Sequence, residues 1–208
     1  MLKNDDLGAL MAIPAMCGRG SALAVEKAFW TLLLANTGSF FAAGNNNYIS
    51  GATTNLTSVA LAQAVAAFRN QVDPQGNPIL LAPKYLVIPT SLEETAWELF
   101  KSTNVMIAGA TDRERQTANI YQGLFQPCVT PYLNNAAITG ASTTGWYLFG
   151  EPDDVAAFGI AYLDGNEFPT IQDAPQAPDV LGQGWRVFFD FGVCQLDPRG
   201  AVMSKGAA

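Results

Sequence analysis

The chain has 208 residues, 49% hydrophobic and 14% charged, with a net charge of −7. At that length and apolar content a chain buries about 70% of the surface it exposes when unfolded, which excludes disorder as its main state. Its 18 acidic against 11 basic residues exclude a nucleic-acid binder built on a basic stripe, and the absence of histidine excludes Ser-His-Asp triads, Cys-His dyads and His-ligated zinc.

Residues 13 to 35 predict a long helix. Pro14 suits a first turn, where its missing N–H would be unpaired anyway. Gly18 and Gly20 weaken that start, so the firmest part is Ser21 to Ala35, and Asn36-Thr37-Gly38 ends it. Leu23, Val25, Phe29, Trp30 and Leu32 to Leu34 leave little polar face beyond Ser21, Glu26, Lys27 and Thr31. A helix apolar on most sides needs cover on most sides, which predicts a strut lying across a sheet. The Gly- and Asn-rich stretch from Gly44 to Asn55 reads as a loop and candidate boundary. A second helix is expected from Thr57 or Ser58 to Val72, with Val59, Ala62, Val65, Ala66 and Phe68 as its stripe. Asp73-Pro74-Gln75-Gly76-Asn77-Pro78 then stops it with turn chemistry.

Tyr85 to Ile88, bracketed by Pro83 and Pro89, predicts a short buried strand. Thr90-Ser91-Leu92-Glu93 has the form of a capping box opening a third helix to about Ser102. Periodicity fails from Thr103 to Gln122. Strands are expected at Leu124–Thr130, Trp146–Phe149, Phe158–Leu163 and Phe168–Gln172. A loop over Asp173–Gln183 then leads to one long half-buried strand, Trp185–Leu196. Helices first and strands later, without β-α-β alternation, indicate an α+β fold.

Candidate chemistry is sparse. Asp5/Asp6, Glu93/Glu94 and Asp153/Asp154 sit near predicted helix starts, where they favour the helix dipole instead of converging on a substrate. Gly18-Arg19-Gly20-Ser21 lacks the spacing of a phosphate loop and follows no strand. None of Lys3, Lys27, Lys84, Lys101 and Lys205 falls in a Ser-x-x-Lys motif. Asp164-Gly165-Asn166-Glu167 comes nearest to an oxygen-ligand metal site and reads better as a β-turn. No catalytic, cofactor or metal site is expected, and the chain reads as a non-enzyme.

Cys17, Cys128 and Cys194 form no Cys-x-x-Cys pair and are expected to be buried, reduced thiols. The polar start Met1 to Asp6 is unlike a signal peptide, and the apolar run Ala28–Ala35 falls far short of the ~20 residues that span a bilayer. A soluble, cytoplasmic protein is therefore expected. Typical domains carry roughly 25% charged residues. This chain instead has 46 Ser, Thr, Asn and Gln, the composition of a surface that faces other copies. Arg113, Glu114 and Arg115, with Asp112, are expected on an exposed loop that offers intersubunit salt links.

Asn4-Asp5-Asp6-Leu7-Gly8-Ala9-Leu10, then Ile13-Pro14 and a long helix ending Leu33-Leu34-Ala35-Asn36, resembles the major head subunits of tailed bacteriophages. The Mu-like prophage head-subunit group is the most similar. Leu80 to Pro89, Trp146 to Phe149, Ala161 to Gly165, Asp190 to Val193 and Asp197-Pro198-Arg199-Gly200 follow in that group's order and spacing. The resemblance implies the HK97-like capsid fold: a spine helix at 14–35, a peripheral domain at 1–55 and 151–208, and an axial domain at 56–150.

The resemblance further implies a structural subunit forming pentamers and hexamers that enclose double-stranded DNA without sequence-specific contact. A prohead protease, scaffold and portal are the implied partners. The chain would reside in the virion capsid, and in the bacterial host cytoplasm before assembly. Members carry an N-terminal arm and a hairpin, the E-loop, ahead of the spine helix. With its first helix so near residue 1 this chain is expected to have neither, so no crosslinking lysine is carried over. The alternatives are an encapsulin-like compartment enclosing protein cargo, or a His-free hydrolase or binding domain.

Overall fold

The computed structural model describes the backbone at residues 9–101, 104–106, 116–174 and 184–206. Helix α1 (Ala9–Ala35) is unbroken over 27 residues, about 40 Å at 1.5 Å per residue. It begins ahead of the expected start, so Pro14 lies inside the helix and not in its first turn. The end is as the sequence suggests. Asn36 turns left-handed at φ 46°, its Oδ1 accepting the Phe41 N–H at 2.8 Å, and Gly38 follows at φ 66°.

Helix α2 (Ser58–Arg69) starts where the Thr57 hydroxyl accepts the Ala60 N–H. Its buried face is Ala60, Leu61, Ala64, Val65 and Phe68. The expected stripe is therefore rotated. Only Val65 and Phe68 belong to both, and Val59 is 59% exposed. A 3-10 turn at Thr90–Leu92 leads into α3 (Glu93–Lys101). The capping box does not form, because Thr90 Oγ1 accepts from Asn134 Nδ2 and Ser91 Oγ donates to the Thr143 carbonyl.

Eleven strands are present among the described residues. Five form one sheet in the order β1 (Tyr48–Ile49), β11 (Ala201–Ser204), β6 (Trp146–Gly150), β2 (Pro83–Pro89), β5 (Gln126–Thr130). The outer pairs β1–β11 and β2–β5 are parallel, and the inner pairs antiparallel. Register places Val202, Leu148 and Leu86 in one row across three strands, all of them fully buried. That row packs with the buried face of α2 and with Ala96 and Phe100 of α3. The neighbouring row Met203, Tyr147, Val87 faces the other way, where Tyr147 meets Phe41 at 5.5 Å between ring centroids.

The predicted boundary loop is part of this core. Asn47 is fully buried: its Nδ2 donates to the Phe40 and Pro198 carbonyls at 2.9 Å, and its Oδ1 accepts the Ala42 N–H. The Thr54 carbonyl accepts both Trp146 Nε1 and Ser204 Oγ at 3.0 Å. Gly140, at φ 90°, comes so close to α1 that a Cβ there would lie 2.2 Å from the Leu34 carbonyl oxygen.

The remaining strands pair in twos. β3 (Asn104–Met106) and β4 (Gln116–Ala118) are antiparallel, in a stretch whose sequence shows no period. The expected long strand at 185–196 is broken at Phe189-Asp190 into β9 (Gly184–Phe188) and β10 (Phe191–Gln195). β9 pairs with β8 (Thr170–Ala174), and β10 with β7 (Phe158–Tyr162).

Two compact units result. The first joins the chain up to Trp30 with Ile160–Cys194; the second joins Thr31–Gly159 with the stretch from Gln195 onward. These limits differ from the segments expected at 1–55 with 151–208 and at 56–150. β1 and β11 belong to the same sheet as β2, β5 and β6.

Candidate assembly surfaces

One opening in the second unit is a cleft of about 410 Å³ between residues 44–46, 71–74 and 196–199. Three elements converge there because Gln71 Nε2 donates to the Asn45 and Asn46 carbonyls, at 3.2 and 3.1 Å. Asp73 is consumed by its own turn. Its Oδ1 accepts the N–H of Gln75 and of Asn77, and its Oδ2 accepts Asn77 Nδ2. Those bonds, the Asn77 side chain first, hold its carboxyl below the usual value.

Asp197 accepts the Arg199 N–H at 2.9 Å and takes the guanidinium as a fork, with Nε at 2.9 Å from Oδ1 and Nη2 at 2.5 Å from Oδ2. That pairing lowers the Asp197 carboxyl and raises the guanidinium. Both carboxylates therefore stay ionised near neutrality. Acid–base catalysis needs two groups pushed apart in pKa, and this cleft pushes both the same way.

The first unit holds a smaller pocket of about 160 Å³, formed by residues 163–170 and 188–190. At its mouth Phe168 is 76% exposed and Leu163 is 61% exposed. Asp164, in the left-handed region at φ 54°, bends the chain between β7 and β8. The Asp164–Glu167 segment is thus a turn, and among the described residues no three acidic or Cys side chains gather as a metal site.

Helix α1 departs most from expectation. Trp30, Leu33 and Leu34 are buried, but Met16 is 70% exposed and Leu23 49% exposed. The cover expected for its apolar sides is supplied only toward the C-terminal end. Gly18-Arg19-Gly20 lies within the helix, and Ser21 Oγ donates back to the Cys17 carbonyl, so no phosphate loop exists. Cys128 and Cys194 are exposed and Cys17 half-buried, none of them in a disulfide, against the expectation of buried thiols. Both cysteines that surface lie on strands whose side chains alternate in and out.

Glu93 and Glu94 stand in the first turn of α3 as the dipole favours. Asp153 and Asp154 lie on a plain turn, where the Asp154 N–H bonds the Glu151 carbonyl, and cap no helix. Asp5, Asp6, Asp112, Arg113, Glu114 and Arg115 lie outside the described residues. Sequence reasoning missed Asn47, Thr54 and the Asp197–Arg199 fork. Only Asp197-Pro198-Arg199 carried a readable signal, an Asx cap ahead of a proline.

The described residues form a mixed α+β fold whose long first helix leaves Met16 and Leu23 exposed. Residues 1–204 match the model of a family described as phage capsid protein, and the chain belongs to that family. It is accordingly a structural capsid subunit, a protein that assembles with copies of itself in the virion capsid. No curated protein matches the chain. Among the described residues no helix is long and apolar enough to cross a membrane.

Proposed function

We propose that the chain is an HK97-like major head subunit of the Mu-like prophage group, forming pentamers and hexamers whose shell encloses double-stranded DNA. The observation that carries this reading is α1: an unbroken helix of 27 residues, which contains the segment 14–35 expected as a spine and leaves Met16 and Leu23 open. An isolated subunit gains nothing from such a surface; a subunit in a shell buries it. The peripheral role falls to the unit containing α1 up to Trp30, and the axial role to the unit with the five-stranded sheet. Arg113, Glu114 and Arg115 then supply contacts around the capsomer axis.

No catalytic step enters the mechanism. Heterologous faces propagate contacts around a ring until rotation closes it. Prohead protease, scaffold and portal act on this subunit from outside, after it accumulates in the host cytoplasm. Light scattering over a concentration series, followed by negative-stain microscopy, is expected to show rings or shells, with nuclease-protected DNA in particles from infected or induced cells. A monomer at every concentration overturns the reading.

A further inference from the structure

Two features of the first compact unit are complementary, and neither finds a partner among the described residues. One is the pocket of about 160 Å³, lined by Phe168, Phe188 and Phe189 together with Asp164 and Asp190. Neither carboxylate takes part in an ion pair among the described residues. Arg186 on β9 lies over the Phe188 ring at 5.9 Å and donates to Gln172 across the strand pair. A pocket of this volume has room for a guanidinium head. Aromatic faces attract cations, and carboxylates accept the guanidinium fork.

The other feature is Arg19 on α1, which is exposed and without an ion pair among the described residues. Met16, Arg19 and Leu23 are spaced i, i+3, i+7 and so share one helix face, with both apolar neighbours open to solvent. Gly18 and Gly20 flank the arginine, and a Cβ at either would touch nothing within 4 Å. Among the described residues no packing requires these two poor helix formers. They bare the backbone on both sides of Arg19, so that another surface can approach closely.

We propose that Arg19 of one subunit inserts into the Phe168–Phe188–Phe189 pocket of a second copy, pairing with Asp164 and Asp190 while Met16 and Leu23 seat on the exposed Leu163 and Phe168. Knob and socket are different patches, so the contact passes from copy to copy. The inference rests on the reading of the chain as a self-assembling subunit.

The test is a concentration series by analytical ultracentrifugation on the full chain. Arg19→Glu and Asp190→Arg are each expected to weaken association about tenfold or more, and the two together to restore it. Asp164→Asn, which an αL position tolerates, is the milder second variant; circular dichroism confirms that each variant folds. Wild-type association with all variants unchanged, or a charge-reversed pair that fails to recover, overturns the contact and leaves the shell reading standing. A wild-type chain that never associates overturns both.

Discussion

The five-stranded sheet and the exposed part of α1 solve the burial problem in opposite ways. Beside the sheet, two buried polar residues find their partners within the same chain: Asn47 takes two carbonyls and a backbone N–H, and the Thr54 carbonyl receives Trp146 and Ser204. On α1 the apolar side chains Met16 and Leu23 have been left in water. A region that closes on itself carries stability. A region that stays open carries association, and its residues contribute little until a second surface arrives. Substitutions in the two regions should therefore separate folding from assembly.

The largest effect is expected at Trp146, fully buried and bonded to the Thr54 carbonyl. Trp146→Ala leaves a cavity and removes one of the two donors to the Thr54 carbonyl, and should destabilise by about 3–5 kcal/mol in urea unfolding. Asn47→Ala comes next, at about 2–3 kcal/mol, because it strips the Pro198 carbonyl and the Ala42 N–H of their partner and leaves the Phe40 carbonyl with Asn45 Nδ2 alone. Asp197→Asn tests the pH dependence. With its carboxyl lowered by Arg199 in the fold, the wild type keeps that contribution above the unfolded value of ~3.9 and loses it as pH falls toward the lowered folded value. The variant should flatten the acid limb of a stability–pH curve, modestly, since the pair is partly exposed.

The smallest folding effects belong to α1. Gly18→Ala meets nothing within 4 Å and should stabilise the monomer by up to about 1 kcal/mol. Met16→Ser should move monomer stability by less than about 0.5 kcal/mol. Both should nevertheless lower the association constant in light scattering. A Met16→Ser variant that unfolds as readily as Trp146→Ala would erase the distinction between the two regions.

Local chemistry was readable wherever it decides alone. Prolines at 83 and 89 bracket β2, and the Asp73–Pro78 turn forms with the bonds its residues offer. Choices that depend on distant partners were not readable. The α2 stripe rotated because the sheet selects Leu61 and Ala64, and short alanines in the helix make several faces nearly equivalent. Thr90 abandoned a capping box for Asn134, a residue 44 positions away. β1, with two residues, is too short for any period, and β9 and β10 read as one run because Phe189 and Asp190 continue the alternation across the break. The exposed side of α1 was misjudged for a related reason. Hydropathy reports that a surface avoids water, not which chain will cover it.

The placement of β11 has a consequence for timing. It lies between β1 and β6, joined to Ile49 by the Lys205 N–H and to Asn47 by the Met203 N–H, so the sheet has a gap until residue 204 is in place. Nascent chains that have not yet reached this point lack the central staple of their sheet. Closure of this sheet thus waits until β11 has been synthesised, long after β2, β5 and β6 have left the ribosome.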